Sequence, residues 1–210
     1  MTLVCSNPAL QQLLSAATGA EAPGWRETVV EAGQAWGLAG TGAQSIWLPE
    51  CGVWVLEQSH GNDRADVALL HARVSPVVPL QDGMRVRALS DGVAWVVPLC
   101  PDLLLQYQQG LLGQMARWAW CVQHHAPAQR LAGCLLWMHE ACADASGWPL
   151  SAMPGVRQLL PAQWDRAVRA LLHSQAVRVN GDMLQVQDQA ALQRQACTCH
   201  AAVAHVPAVL

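Results

Sequence analysis

The chain has no phenylalanine, no lysine and a single tyrosine among its 210 residues. Charged residues make up only 13% and hydrophobic residues 52%, which excludes a disordered chain and leaves ample material for a core. The missing Phe and Lys reflect a compositional bias and carry no chemistry. Ten Trp are present to fill the core places that Phe would otherwise take. No apolar run reaches the ~18 residues that would read as a membrane span. Met1 to Pro8 has neither a basic leader nor a long apolar run, so no export signal is expected. A cytoplasmic, membrane-free protein follows, with its eight cysteines as reduced thiols. Catalytic signatures are lacking too. There is no Gly-rich phosphate loop, no G-x-S-x-G and no H-E-x-x-H, and His139-Glu140 has no second His, so an enzyme is not expected.

The net charge is -3 and unevenly spread. Residues 1–125 carry six Arg against ten acids, 6 - 10 = -4. Residues 150–180 carry Arg157, Arg166, Arg169 and Arg178 against Asp165, 4 - 1 = +3. A locally basic segment on an acidic body suits a two-part regulator.

Periodicity divides the chain in three. Asn7 to Ala17 reads as a short helix with Leu10, Leu13 and Leu14 on one face. Between residues 24 and 100, short apolar runs alternate with turn residues: Glu27–Val30, Ser45–Leu48, Gly52–Leu56, Asp66–Leu70, Met84–Leu89 and Gly92–Val97. Many short strands at regular spacing point to a β-barrel or jelly roll. Pro98 and Pro101 close this region, and Asp102 is expected to cap a long helix to about Cys121. On it Leu104, Leu111 and Trp118 fall seven apart, with Gln108, Met115 and Val122 at the offset positions. With Tyr107 and Leu112 this makes a wide apolar stripe with heptad spacing, expected to pair two chains as a homodimer.

His125-Ala-Pro127 breaks the helix. Gln129–Ala143 reads as a second helix with Leu131, Cys134, Leu135 and Met138 inward. Pro161–His173 reads as a third, with Trp164, Val168, Leu171 and Leu172 inward and Gln163, Arg166, Ala170 and His173 outward. Val177–Val186 reads as two strands around an Asn180-Gly181 turn. Helices followed by a hairpin outline a winged helix-turn-helix. The expected architecture is α+β: a β-roll (jelly-roll) over residues 1–100, a dimerisation helix over 101–125 and a winged helix-turn-helix over 126–210.

The residues from Gln114 onward resemble the Crp/Fnr-type bacterial transcription regulators. Gln114-Met-Ala, Cys121-Val-Gln-His-His125 and Gln129-Arg-Leu131 are similar to that family's Q-M-A, C-N-R-H-H and Q-R-L. Leu135-Leu-Trp-Met-His-Glu140 resembles L-L-x-x-H-D, and Trp148-Pro-Leu-Ser151 resembles L-P-L-T. Leu184–Asp188 and Ala191–Cys199 resemble I-x-I-L-D and G-L-E-x-x-A-C-E-C. Upstream, Trp47–Leu56 and Arg64–Leu70 match more loosely. The resemblance implies a cyclic-nucleotide-binding-like β-roll, a dimerising helix and a winged helix that binds double-stranded DNA.

Two departures qualify what is implied. The G-E-L segment and R-[ST]-A turn that hold a cyclic nucleotide in the family are missing, and Asp82 stands about where the phosphate-binding Arg would be. An acid there repels the ligand, so no cyclic nucleotide and no other cofactor is expected. The effector of the roll is unknown, with Arg73, Arg85 and Arg87 as candidates for some other small anion. The recognition helix departs as well. Pro161-Ala-Gln-Trp-Asp-Arg166 stands for R-E-T-V-S-R and keeps only the last Arg. Gln163 is then placed to read adenine and Arg166 guanine, while Arg157, Arg169 and Arg178 contact phosphate. The alternative is a dimeric remnant that acts through protein partners, or a small-ligand or metal sensor.

No metal is expected. Cys197 and Cys199 with His200 or His205 offer zinc-type donors, but both Cys match a family tail with no general metal role. His124 and His125 are expected to make structural hydrogen bonds at the hinge. Cys5 alone near the N-terminus does not make an iron-sulfur cluster.

Overall fold

A computed structural model describes residues 25–37, 45–60, 63–70, 78–79, 83–98, 101–142, 147–150 and 163–199. For 63–70, 78–79 and most of 102–118 it describes the backbone alone. The helix expected over Asn7–Ala17 lies outside these residues, as do Arg73 and Arg157. The chain divides into two compact units, one up to Gly113 and one from Gln114.

The first unit holds two four-stranded antiparallel sheets. One has the order β1 (Arg26–Val30), β8 (Gly92–Pro98), β3 (Ser45–Cys51), β6 (Val78–Pro79). The other runs β2 (Ala35–Gly37), β7 (Met84–Ala88), β4 (Trp54–His60), β5 (Asp63–Leu70). Alternation along each strand sends every second residue to the inner face. Val30, Trp47, Ala94 and Val96 of the first sheet and Trp54, Leu56, Val86 and Ala88 of the second form one buried cluster. Trp36 on β2 packs on it, its ring 4.9 Å from Trp47 and edge-on to Trp54 at 5.4 Å. The indoles thus fill the space between the sheets. A strand forms at each of the six expected runs, but β4 starts at Trp54, with Gly52 and Val53 in the preceding turn, and β7 stops at Ala88 before Leu89. β2 and β6 were not expected, being three and two residues long. The turn between β3 and β4 needs glycine twice: Gly52 sits at φ +94°, and a Cβ on Gly92 would stand 2.5 Å from the Cys51 carbonyl oxygen.

Helix α1 (Pro101–His124) begins one residue before the expected Asp102 cap. The starting Pro has a fixed φ suited to a first helical turn and needs no hydrogen-bond partner for its nitrogen.

In the second unit, α2 (Pro127–Ala141) is the central element. Leu131, Ala132, Gly133, Leu135, Leu136, Trp137 and Met138 are all buried. It packs against α3 (Trp164–His173) and α4 (Gln189–Gln195). Trp164, Ala167, Val168 and Leu171 form the inner face of α3. Leu172, expected inward, is 37% exposed, and Ala167 takes the inner place. The helix turns 100° per residue, so Leu172 rotates out once Leu171 and Val168 are seated. β10 (Val177–Asn180) and β11 (Met183–Val186) form the hairpin, with Gly181 at φ +61° in its turn. β9 (Trp148–Pro149) adds to the far side of β11.

Helix α3 ends in a Schellman turn. The Ala176 amide donates to the Leu171 carbonyl and the Gln175 amide to that of Leu172. This places Gln175 at φ +58°, the one non-glycine in that region among the described residues. A Cβ there is strained, so Gln175→Gly is expected to raise stability by about 1 kcal/mol. Urea denaturation of the two proteins checks it, and an unchanged or lower midpoint would contradict it.

Candidate functional site

Arg85 and Arg87, candidates for holding an effector anion, alternate with Val86 and Ala88 on β7 and so lie on the face away from the core cluster. Both donate to Glu57 on β4, Arg87 Nε at 2.6 Å from Oε1 and Arg85 Nε to the other oxygen. The register explains the meeting, since Glu57 pairs with Arg85 and Val55 with Arg87. Glu57 is buried. Burial raises its carboxyl pKa, but the hydrogen bonds and charges of the two guanidiniums outweigh that and hold it below the ordinary 4.5. An anion binding at Arg85 or Arg87 would compete with this carboxylate.

Arg166 and Arg169 are exposed on α3, opposite the inner face of Trp164, Ala167, Val168 and Leu171, and Gln163, expected on the helix, is the exposed residue just before its first turn. Arg169 Nε donates to the Asp165 carbonyl oxygen one turn back, at 3.1 Å. Arg178 on β10 is exposed and donates to Gln185 across the hairpin at 2.7 Å. Four of the five expected DNA contacts are therefore placed on the exterior of the second unit. Arg157 and the segment leading to α3 are outside the described residues.

Of the six residues expected at a dimer seam, Leu104, Tyr107, Leu111, Met115 and Trp118 lie on α1 with side chains outside the described set, and Val122 is exposed. Leu105, Leu112 and Trp120 on the same helix are exposed as well, at 55%, 67% and 59%. Leu105 and Leu112 are seven apart and share a face. Heptad spacing in the sequence leaves Leu105 outside the expected stripe.

A fourth arrangement joins residues distant in sequence. Cys121 is in the last turn of α1, and the His125 amide donates to its carbonyl. Pro127 opens α2, whose Gln129 side chain accepts from the Ala126 amide at 3.0 Å and fixes the chain reversal. The Gln129 carbonyl in turn accepts from the Cys197 amide, which draws the segment after α4 to the same place. Cys121 Sγ lies 3.5 Å from Cys197 Sγ, and Cys199 Sγ 3.6 Å from His125 Nδ1. The four donor atoms all fall within 4.8 Å of one another. Burial and then the neighbouring sulfurs push the Cys121 thiol well above its ordinary range, and the Cys199 thiol is raised by burial and by Cys197, against a lowering hydrogen bond with Cys121. Cys134, away from this group, is pushed up to about 12 by burial alone. His124 turns elsewhere and stacks on Trp120 with ring centroids 3.8 Å apart.

The sequence offers His200 or His205 as companions for Cys197 and Cys199, and both His lie outside the described residues. Among the described residues the fold supplies Cys121 and His125 as their companions. Each half is a short motif, C-x3-H and C-x-C, and nothing in a single sequence pairs two such halves across more than seventy residues.

No protein-family model matches the chain, and no curated protein matches it in sequence. Solved structures do. FixK2 from Bradyrhizobium japonicum superposes with a TM-score of 0.59 at 15% identity, over 83% of this chain and 98% of that one. TTHA1359, a transcriptional regulator of the CRP/FNR family from Thermus thermophilus, gives 0.57 at 16% identity, over 81% and 98%. TTHB099 from the same organism, a transcriptional regulator of the CRP family, gives 0.55 at 15%, over 80% and 96%. The chain has the fold of the Crp/Fnr-type regulators, α+β with a cyclic-nucleotide-binding-like roll. TTHA1359 and TTHB099 among these neighbours are transcriptional regulators.

Replacing Glu57 with Gln leaves two guanidiniums together without their anion. At neutral pH this is expected to cost about 3 kcal/mol, the lower end for a broken buried pair. A carboxyl whose folded pKa is depressed stabilises the fold fully above its unfolded value and loses that contribution as pH falls through the folded one. The deficit of Glu57→Gln should therefore be constant above pH 4.5 and shrink below it. Denaturation at pH 7 and pH 3 measures both numbers; a deficit that grows on acidification contradicts the assignment.

Proposed function

We propose that the chain is a homodimeric, cytoplasmic transcription regulator that binds double-stranded DNA through a winged helix-turn-helix formed by residues 126–210. The observation that carries this reading is the outer face of α3. Arg166 and Arg169 stand exposed on a helix whose other face is locked against α2, and Gln163 is exposed at its start. Arg178 on the adjoining hairpin adds a fourth polar contact from the wing. Arg166 and Gln163 read base edges in the major groove, and Arg169 and Arg178 hold phosphates. The likeness to regulators over most of the chain's length supports the same assignment.

The dimer forms along α1 in this reading, with residues 101–125 as the pairing helix. The exposed Leu105 and Leu112, which share a face of α1, support an unpartnered apolar strip that a second copy covers. Among the described residues no helix is long and apolar enough to cross a membrane. The roll over residues 1–100 responds to something other than cyclic AMP or GMP, on the sequence grounds that a Gly-Glu pair is missing and that Asp82 replaces an Arg. A change of state in the roll or the dimer shifts the C-terminal heads about the His125–Pro127 junction between two poses.

The test is duplex binding by the 210-residue chain at several salt concentrations. Affinity should fall steeply with salt, and Arg169→Ala should reduce the slope of log K against log [salt] by about 1. Arg166→Ala should cost about 1–3 kcal/mol and relax preference at one base pair. Absence of any duplex binding at low salt would overturn the reading, and co-purification with a protein partner would then favour a module that acts without DNA.

A further inference from the structure

We propose that Cys121, His125, Cys197 and Cys199 form a four-coordinate site for a zinc-class divalent cation. The donor set comes first. Three thiolate sulfurs and one imidazole nitrogen are one of the standard sets for structural zinc, and they select soft or borderline metals over magnesium and calcium. Carboxylates, which would suit the harder ions, are not part of the group.

The spacing comes second. A tetrahedral centre with Zn–S of ~2.3 Å and Zn–N of ~2.0 Å separates its donors by roughly 3.8 Å for two sulfurs and roughly 3.5 Å for sulfur and nitrogen. The Cys121–Cys197 sulfurs are 3.5 Å apart, the Cys199 sulfur and His125 Nδ1 are 3.6 Å apart, and no pair of the four exceeds 4.8 Å. A disulfide between Cys121 and Cys197 accounts for less. Its bond length is ~2.0 Å, all four residues' placement remains to be explained, and the cysteines are free.

The surroundings come third. Cys197 is buried and the other three are half-buried, so protein encloses the centre on most sides. Arg130, in the first turn of α2, lies in electrostatic reach of the Cys121 and Cys197 sulfurs. Its Nε and Nη1 are buried and have no hydrogen-bond partner among the described residues. Three thiolates and one divalent cation leave a net charge of -1, which the Arg130 guanidinium balances. Its unpartnered N–H groups are suited to donate to thiolate sulfur, the support that metal ligands usually receive from the shell beyond them.

On binding, the three thiols release their protons to solvent and the imidazole coordinates in its neutral form through Nδ1. With four protein donors the centre has no open position, so its role is structural: it fastens the segment after α4 to the end of α1 and to the turn before α2. The inference does not depend on DNA binding.

The experiment uses the whole 210-residue chain, reduced, stripped with a chelator and titrated with Co2+ and then Zn2+. We expect one Co2+ per chain, with a thiolate-to-cobalt charge-transfer band and the intense visible bands of tetrahedral cobalt, bleached by one equivalent of Zn2+. Cys197→Ser, Cys199→Ser and His125→Ala should each weaken binding by more than about 100-fold, and Arg130→Gln by about 10-fold. Cys51→Ser, Cys142→Ser and His124→Ala should leave it unchanged. A reduced wild-type chain that takes up no cobalt, or shows no charge-transfer band, overturns the proposal, as does Cys199→Ser or His125→Ala with wild-type affinity. The wild-type spectrum decides the matter even if a variant fails to fold.

Discussion

Helix α2 is the apolar axis of the C-terminal unit, and what the unit offers at its surface follows from how that axis is covered. Seven of its fifteen residues are buried, Leu131 through Met138 with one interruption. A helix enclosed to this extent has to be flanked by several elements at once. α3 takes one flank and α4 another. Seating Trp164, Ala167, Val168 and Leu171 on α2 leaves Gln163, Arg166 and Arg169 facing out. Seating Ala191 and Leu192 of α4 brings the next residues, Cys197 and Cys199, back to the start of α2. The arginine-bearing face and the thiol cluster are thus two consequences of one packing arrangement.

The β-unit solves a different problem, a sandwich without phenylalanine. Trp36, Trp47 and Trp54 pack at 4.9 and 5.4 Å between the two sheets, in one cluster with the small Ala88 and Ala94. An indole occupies more space than a phenyl ring and carries a donor. The Nε1 groups of these three are buried with no partner among the described residues, so the core gains area at the expense of unsatisfied polar groups. On the opposite face of the second sheet, Glu57 draws Arg85 and Arg87 together. Two guanidiniums that resemble an anion site in the sequence are joined through a carboxylate of the chain itself.

Strands with clean alternation were legible in advance, and so were the helices with a strong apolar face. Val177–Asn180 and Met183–Val186 form around the turn that Asn180-Gly181 announces. The outward set on α3 was legible too, because 3.6-residue periodicity separates Arg166 and Arg169 from Trp164 and Val168. β2 and β6 were not, since two or three residues carry no period. Leu172 was misplaced because hydrophobicity alone does not distinguish a residue at the edge of an apolar face from one at its centre. Cys121 and His125 were visible as a motif but not as half of a site.

Composition, period and local turn chemistry lie within reach of a few residues, so the sequence alone determined the longer strands, the main helices, the terminal hairpin and the likeness to Crp/Fnr regulators. Contacts between residues far apart in the chain do not. Only the tertiary structure decided that Glu57 meets Arg85 and Arg87 across neighbouring strands, and that Cys121 and His125 meet Cys197 and Cys199 more than seventy residues later. The physical reason is that register and helix packing are settled by burying apolar faces, and polar side chains carried on those elements are brought together wherever that burial leaves them.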